Sequence, residues 1–309
     1  MAAYQKLYHS GELKERVERA RAILECCELC PRRCCVNRLR GETGMCRTAS
    51  EAVVSSDGPH FGEEAPLVGS RGSGTIFFTH CNLRCMFCQN YTISQLGDGR
   101  PVTKGEIAKM MLSLQQRGCH NINLVSPTHV VPQILEGLQV AAGLGLSIPL
   151  VYNSGGYDSV ETLKLLDGIV DIYMPDMKYS DEINARRFSG VRDYPAVNQA
   201  AVKEMHRQVG DLELDEHGVA KRGLLVRHLV LPNGIAGTEK VVRFLAEEVS
   251  VNTYLNVMAQ YYPSHRAFKI PTLSRPPTRQ EFADAVNLAR EYGLERLDGV
   301  RPRSLIRLL

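Results

Sequence analysis

The run Gly74-Thr75-Ile76-Phe77-Phe78-Thr79-His80-Cys81-Asn82-Leu83-Arg84-Cys85-Met86-Phe87-Cys88 decides how the rest of the chain is read. Its first part, centred on Thr75–Thr79, is a short unbroken apolar stretch, as expected of a parallel strand covered on both faces. Its second part is a loop with three thiols spaced Cys-x3-Cys-x2-Cys. Five further runs of the same kind follow: Ile122–Val125, Pro149–Asn153, Val170–Met174, Leu224–Leu231 and Tyr254–Tyr261. Helical stretches lie between them, and alternation of this sort is the mark of repeated βα units. Six units predict an α/β fold, either an incomplete (β/α)6 barrel or an open doubly wound sheet. No Gly-x-Gly-x-x-Gly follows the first strand, which argues against the dinucleotide-binding form of the open sheet. Thr103 with Glu106, Asp158 with Glu161, and Thr278 with Glu281 read as capping boxes, and Pro175, Pro232 and Pro263 punctuate strand ends.

Upstream, residues 1–25 carry Leu7, Leu13, Val17, Ala20 and Leu24 at helical steps and predict an amphipathic helix. A cysteine- and arginine-rich stretch runs to Arg47, and a Gly/Ser/Pro-containing segment runs to Ser73. The expected division is therefore 1–73 for the N-terminal helix and cysteine-rich module, and 74–309 for the βα domain.

Hydrophobic residues make up 44% of the 309 and charged residues 23%, an ordinary globular balance. The net charge of +3 is too small to predict nucleic-acid or membrane binding, and the C-terminal Arg301, Arg303 and Arg307 are too few to change that. No apolar run approaches the roughly 18–20 residues of a membrane span. The polar N-terminus has no signal-peptide core. A soluble cytoplasmic protein is expected. Nine of its ten cysteines fall between residues 26 and 88, with Cys119 apart. Clustered thiols in a reducing compartment point to metal rather than disulfides.

The two cysteine groups differ in kind. Cys81, Cys85 and Cys88 can hold three irons of a four-iron cluster and leave the fourth open to an outside ligand. A structural zinc site closes with four ligands, and here only His80 or the distant Cys119 is available to complete it. The upstream sequence Cys26-Cys27-Glu28-Leu29-Cys30-Pro31-Arg32-Arg33-Cys34-Cys35, followed by Cys46, offers four thiols for a closed zinc tetrahedron or an iron–sulfur cluster. The two doublets leave the ligands open. Cys27 is favoured over Cys26 because it makes the tight Cys-x2-Cys with Cys30.

Cys81-x3-Cys85-x-Phe87-Cys88 after the first strand of a βα-repeat domain resembles the radical S-adenosylmethionine (SAM) enzymes. Within them the chain resembles the pyruvate formate-lyase activating enzyme branch, in particular members with an N-terminal cysteine-rich module. The resemblance implies an incomplete (β/α)6 radical SAM barrel and a [4Fe–4S] cluster on Cys81, Cys85 and Cys88. It also implies SAM, cleaved reductively to a 5′-deoxyadenosyl radical that abstracts hydrogen. Asp176-Met177-Lys178 is similar to the branch's Asp-Leu-Lys beside SAM, and Met174 to a methionine whose backbone carbonyl helps hold a monovalent cation. Asn153-Ser154-Gly155 stands where the branch has Asp-Thr-Asn-Gly, and Arg227 is similar to the arginine of the branch's Arg-x-Val-Val-x-Pro strand. Ser126-Pro127-Thr128-His129 replaces a Gly-Gly-Glu ending, with Thr128 taken as the SAM neighbour there. Gln260-Tyr261-Tyr262-Pro263 leaves the branch's SAM-contacting histidine without a counterpart.

The resemblance selects Cys34 over Cys35, so that Cys27, Cys30, Cys34 and Cys46 are the expected ligands of an auxiliary iron–sulfur cluster, with zinc as the alternative. The implied activity is hydrogen abstraction from a glycine of a glycyl radical enzyme. The alternatives are radical modification of a peptide or small molecule, and a non-catalytic iron–sulfur or zinc protein that binds partners. A reductant such as flavodoxin or ferredoxin is the implied electron donor.

Other residues carry weaker signals. His60, Glu63 and Glu64 either line the mouth and handle substrate protons or, more simply, form a polar loop paired with nearby arginines. His129 is either a SAM or substrate neighbour or a polar helix-start residue, and Cys119 reads as core. Arg32, Arg33, Arg38, Arg40 and Arg47 interleave with the module cysteines and suit hydrogen bonding to an anionic thiolate centre.

Overall fold

The computed structural model describes residues 2–299, so the arginines at 301, 303 and 307 lie outside the described residues. Nine strands form one sheet: β1 (Ala52–His60), β2 (Ser73–Phe78), β3 (Arg100–Val102), β4 (Ile122–Val125), β5 (Leu150–Ser154), β6 (Ile172–Pro175), β7 (Glu213–Leu214), β8 (Ala220–Leu229) and β9 (Tyr254–Met258). The order is β3-β1-β2-β4-β5-β6-β8-β7, with β9 also on β8. β2, β4, β5, β6, β8 and β9 run parallel in that order and are the six apolar runs of the sequence. The chain is thus an α/β fold with a mostly parallel sheet.

Three strands were not foreseen. β1 and β3 add an antiparallel edge beside β2, and β7 pairs briefly with β8. β1 alternates only weakly and contains Gly58 and Pro59, so its sequence looks like a loop; pairing on both sides makes it a strand. The boundary expected between residues 73 and 74 falls one residue into β2, which is hydrogen-bonded to β1.

The N-terminal helix is two helices, α1 (Tyr4–Ser10) and α2 (Glu12–Ala22), broken where Gly11 takes φ +84. Tyr4, Leu13, Val17 and Ala20 are buried in the main core. α3 (Ala65–Val68) follows β1 and carries Leu67 into a cluster with Val151, Ile172, Met174 and Leu225 beneath the strand ends. α4 (Lys104–Gln116), α5 (Val131–Gly143), α6 (Val160–Leu165), α7 (Glu182–Ser189), α8 (Tyr194–Val209), α9 (Thr238–Phe244) and α10 (Arg279–Glu291) complete the βα units.

The capping boxes of Thr103/Glu106 and Thr278/Glu281 form as read. The third does not. Ser159 is the N-cap of α6, while the Asp158 carboxylate turns inward and accepts from Thr128 (2.7 Å), Tyr152 (3.0 Å) and Ser154 (2.6 Å). A carboxylate this deeply buried needs several donors, and three hydroxyls supply more than a helix start offers.

The turn after β5 meets the end of β6 at Gly156, where φ is +74 and an added Cβ would lie 2.0 Å from the Asp176 carbonyl oxygen. Tyr194 braces the same junction: its hydroxyl lies 2.9 Å from the carbonyls of Gly155 and Asp176 and accepts from the Lys178 amide at 3.1 Å. Gly156→Ala should cost roughly 1–2 kcal/mol for the left-handed backbone and roughly 1–3 kcal/mol more for overpacking. Gly145→Ala, at φ +92 with open space around it, should cost only the backbone part. Chemical denaturation of the two variants checks the difference.

Candidate functional site

The chain after β2 turns sharply at His80, whose φ is +66, and enters the cysteine loop. Backbone bonds pin this loop to the end of α7: Arg84 N–H donates to Ser189 O (3.1 Å) and Met86 N–H to Phe188 O (2.7 Å). Phe87 is buried edge-on against Tyr179 and Tyr261, with ring centroids 6.3 and 5.8 Å away. An aromatic before the third cysteine thus wedges the loop into an aromatic cluster. The thiols have local donors: Ser189 Oγ donates to Cys85 Sγ at 3.0 Å, the Leu83 amide to Cys81 Sγ at 3.4 Å, and Cys88 Sγ lies 3.1 Å from Ser94 Oγ.

A cleft of about 390 Å³ opens over these thiols and the ends of the parallel strands. Cys81, Cys85, Phe87 and Cys88 form one wall; Asn153, Ser154, Asp176, Lys178 and Arg227 face them. Asp176 is clamped between two cations, with Lys178 Nζ at 2.5 Å and Arg227 Nε at 2.8 Å. Arg227 also donates to Asn153 Oδ1 at 2.7 Å. Burial pushes the Asp176 carboxyl up, but Arg227 and Lys178 outweigh it and leave it below the usual carboxylate range. Lys178 is opposed by burial and held above its ordinary value by Asp176. Arg227 and its neighbour His228 show the strand alternation: Arg227 faces the cleft, whereas His228 is fully buried on the other face and bonded to Met177 O and Thr238 Oγ1.

Thr128 and Met174 are not among the side chains lining this cleft. The Thr128 hydroxyl is committed to Asp158, and the Met174 side chain, as distinct from the backbone carbonyl expected at the cation, packs with Val151 and Leu225. Ser126, at φ +60, lines the cleft from that strand end instead. His129 is also away from it: its ring is 2.9 Å from the Thr79 carbonyl, and burial, then Arg38, lowers it to about 3. It is a neutral structural group. Cys119 lies in the main core.

His60 and Glu63 do line the cleft, and Glu64 lies beside it, 3.9 Å from Arg227 Nε. The loop is both polar-paired and part of the mouth. Asn90, Ser94, Met258 and Gln260 also line it, brought there by the fold.

Cys27, Cys30, Cys34 and Cys46 line one small closed pocket with Arg32, Arg38 and His129. Cys26 and Cys35 are exposed outside it. Gly44 lets the backbone pass close to Cys34, since a Cβ there would lie 2.5 Å from its Sγ. Arg38 is buried, with Nη1 3.8 Å from Cys27 Sγ and 2.8 Å from His129 O. Arg33, Arg40 and Arg47 are exposed and line neither pocket. The two thiol groups adjoin at Asn82: its Oδ1 lies 3.8 Å from Cys81 Sγ, and its backbone carbonyl accepts from Arg32, which lines the pocket of the N-terminal thiols. Among the described residues no three His, Cys, Asp or Glu side chains are gathered as a ready single-ion site. Likewise, no helix among them is long and apolar enough to cross a membrane.

Residues 75–212 match the model of the radical SAM superfamily. Uncharacterized protein MJ0674 of Methanocaldococcus jannaschii is 35% identical over 290 residues, covering 91% of this chain and 79% of its own. A second protein of that organism, MJ0808, is 24% identical over 298 residues, covering 87% and 79%. Among solved structures, a radical SAM methyltransferase from Sphaerobacter thermophilus shares the fold at a TM-score of 0.50 and 15% identity. That likeness covers 72% of this chain and 64% of the methyltransferase's length. The chain belongs to the radical SAM superfamily. Membership implies an enzyme that carries a four-iron cluster, uses SAM and draws electrons from a reductant.

The Asp176 clamp can be tested without any cofactor. Removing its charge leaves Lys178 and Arg227 without their shared carboxylate, so Asp176→Asn should lose about 1.5–3 kcal/mol at neutral pH, the size of a hydrogen bond to a charged group. A carboxyl held below its ordinary value stabilises the fold above the unfolded value of about 3.9, and this contribution fades as pH falls further. The variant and the wild type should therefore converge in stability on acidification. Thermal melts between neutral and acidic pH check this.

Proposed function

We propose that the protein cleaves SAM at the cleft and uses the resulting radical to take a hydrogen atom from a glycine of a partner protein. The observation that carries this is the placing of three thiols and the Asn153–Arg227–Asp176–Lys178 chain on facing walls of one cleft. When bound there, the cluster and SAM together supply a 5′-deoxyadenosyl radical.

The residues fit these groups. Three thiols with hydrogen-bond donors, open on the cleft side, suit a cluster that keeps one iron for an outside ligand. Burial, then the neighbouring Cys85, push the Cys81 thiol up to about 12, so the donor set becomes anionic only against a compensating cationic centre. On the opposite wall, Lys178 offers an ammonium to a carboxylate, and Asp176 and Asn153 Oδ1 offer acceptors to an ammonium or sulfonium. Phe87, Tyr179 and Tyr261 close the side of the loop against water. The glycine target rests on the resemblance to glycyl-radical activating enzymes; a peptide or small-molecule substrate is the second reading.

The N-terminal thiols are assigned to an auxiliary iron–sulfur cluster, with zinc as the alternative. Two guanidinium nitrogens at that pocket, Arg32 Nη2 and Arg38 Nη2, are buried and have no partner among the described residues. Such donors are suited to an anionic thiolate centre. A flavodoxin or ferredoxin is the proposed reductant.

Anaerobically reconstituted protein should produce 5′-deoxyadenosine from SAM under reduction, and replacing Cys81, Cys85 and Cys88 by Ala should abolish this. Replacing Cys27, Cys30, Cys34 and Cys46 by Ala should lower iron and sulfide by one cluster's worth, read by elemental analysis. Loss of zinc with unchanged iron would assign that site to zinc instead. Turnover surviving in the first variant would refute the proposed activity.

A further inference from the structure

Beside the cleft lies a second chamber of about 610 Å³, between β9, the start of α10 and the loop after β1. It shares Glu63, Arg227 and Gln260 with the cleft, so the two spaces adjoin at Arg227. Its own walls are Glu64, Asn256, Phe282 and Asp298. Three carboxylates thus face one guanidinium, and that guanidinium is already engaged with Asp176 at 2.8 Å.

Glu64 is the telling residue. It is 5% exposed, and its Oε1 accepts from Asn256 Nδ2 at 2.9 Å. Its Oε2 is buried and has no hydrogen-bond partner among the described residues. An ionised oxygen in such a place is costly unless a donor reaches it. Arg227 Nε stands 3.9 Å from Oε1 and does not supply that donor. Burial raises the neighbouring Glu63 carboxyl, Arg227 lowers it and the charge of Glu64 raises it again, with the net shift upward. Asp298 holds the outer side, its Oδ1 accepting from Tyr254 at 2.8 Å.

We propose that this chamber is the substrate subsite, and that it takes a cationic nitrogen, an ammonium or guanidinium, held by Glu64 with Glu63 and Asp298. The inference rests on the radical SAM reading in its second form, a peptide or small-molecule substrate, and names the chemical class of that substrate. A cation seated on Glu64 lies on the far side of Arg227 from Asp176, so the carbon chain attached to it is led toward the thiol-lined cleft. Phe282 offers the methylene chain an apolar wall.

The test is calorimetry on reconstituted protein with SAM present, using cadaverine, the peptide acetyl-Gly-Lys-Gly-amide, and 1,5-pentanediol as a neutral match for cadaverine. At least one cation should bind while the diol does not; preference for cadaverine identifies a free amine, and preference for the peptide identifies a lysine side chain. Glu64→Gln keeps the Asn256 bond and removes the charge, and should weaken binding by about tenfold or more, the size of a lost charge-assisted hydrogen bond. Asp298→Asn, at the partly exposed rim, should weaken it in the same direction with the melting temperature unchanged. Equal binding of the diol, no binding of either cation, or unaltered affinity in both variants overturns the subsite. The same preparation is assayed for 5′-deoxyadenosine formation. If that succeeds and the cations fail, this inference alone falls; if it fails in the wild type, the radical SAM reading falls and the subsite with it.

Discussion

Asp176 held between Arg227 and Lys178 is the constraint on which the rest of the site depends. Three charged groups largely withdrawn from water are tolerable only with their partners at hydrogen-bond distance, and they come from two places far apart in the chain. Asp176 and Lys178 leave β6 on one turn, while Arg227 comes from the middle of β8. The Gly156 turn and the Tyr194 hydroxyl brace this turn from behind. Because Arg227 also grips Asn153, the ends of β5, β6 and β8 are locked into one polar wall facing the thiols.

The cysteine loop is fixed by different means, packing and backbone bonds rather than charge. Phe87 enters the aromatic cluster of Tyr179 and Tyr261, and the loop amides bond to the end of α7. Asn82, the residue after Cys81, places its side-chain oxygen 3.8 Å from the Cys81 sulfur. Arg32 donates to Asn82 O at 2.9 Å, which joins the N-terminal module to the loop beside its first cysteine.

What was legible in the sequence was whatever depends on local pattern. The six parallel strands showed as apolar runs because both their faces are covered, and the cysteine loop showed as spacing. Asp176, Lys178 and Arg227 were found because their neighbours match a family's motif. β1 was not legible, since a strand with Gly58 and Pro59 is made by its partners on either side. Thr128 was placed at SAM by its position after β4, but hydrogen bonding to Asp158 decides where its hydroxyl points. Asp158 itself looked like a helix cap, and the hydroxyls of Thr128, Tyr152 and Ser154 claim it instead. The chamber at Glu64 has no motif at all: loop, strand and helix meet there only in three dimensions.

The central claim is that SAM binds against the centre held by Cys81, Cys85 and Cys88. The most direct measurement is the electron paramagnetic resonance spectrum of the reduced, reconstituted protein recorded with and without SAM. The account predicts a spectrum that changes when SAM is added, a change that persists when the four N-terminal cysteines are replaced. A cluster spectrum insensitive to SAM in the wild-type protein would contradict it.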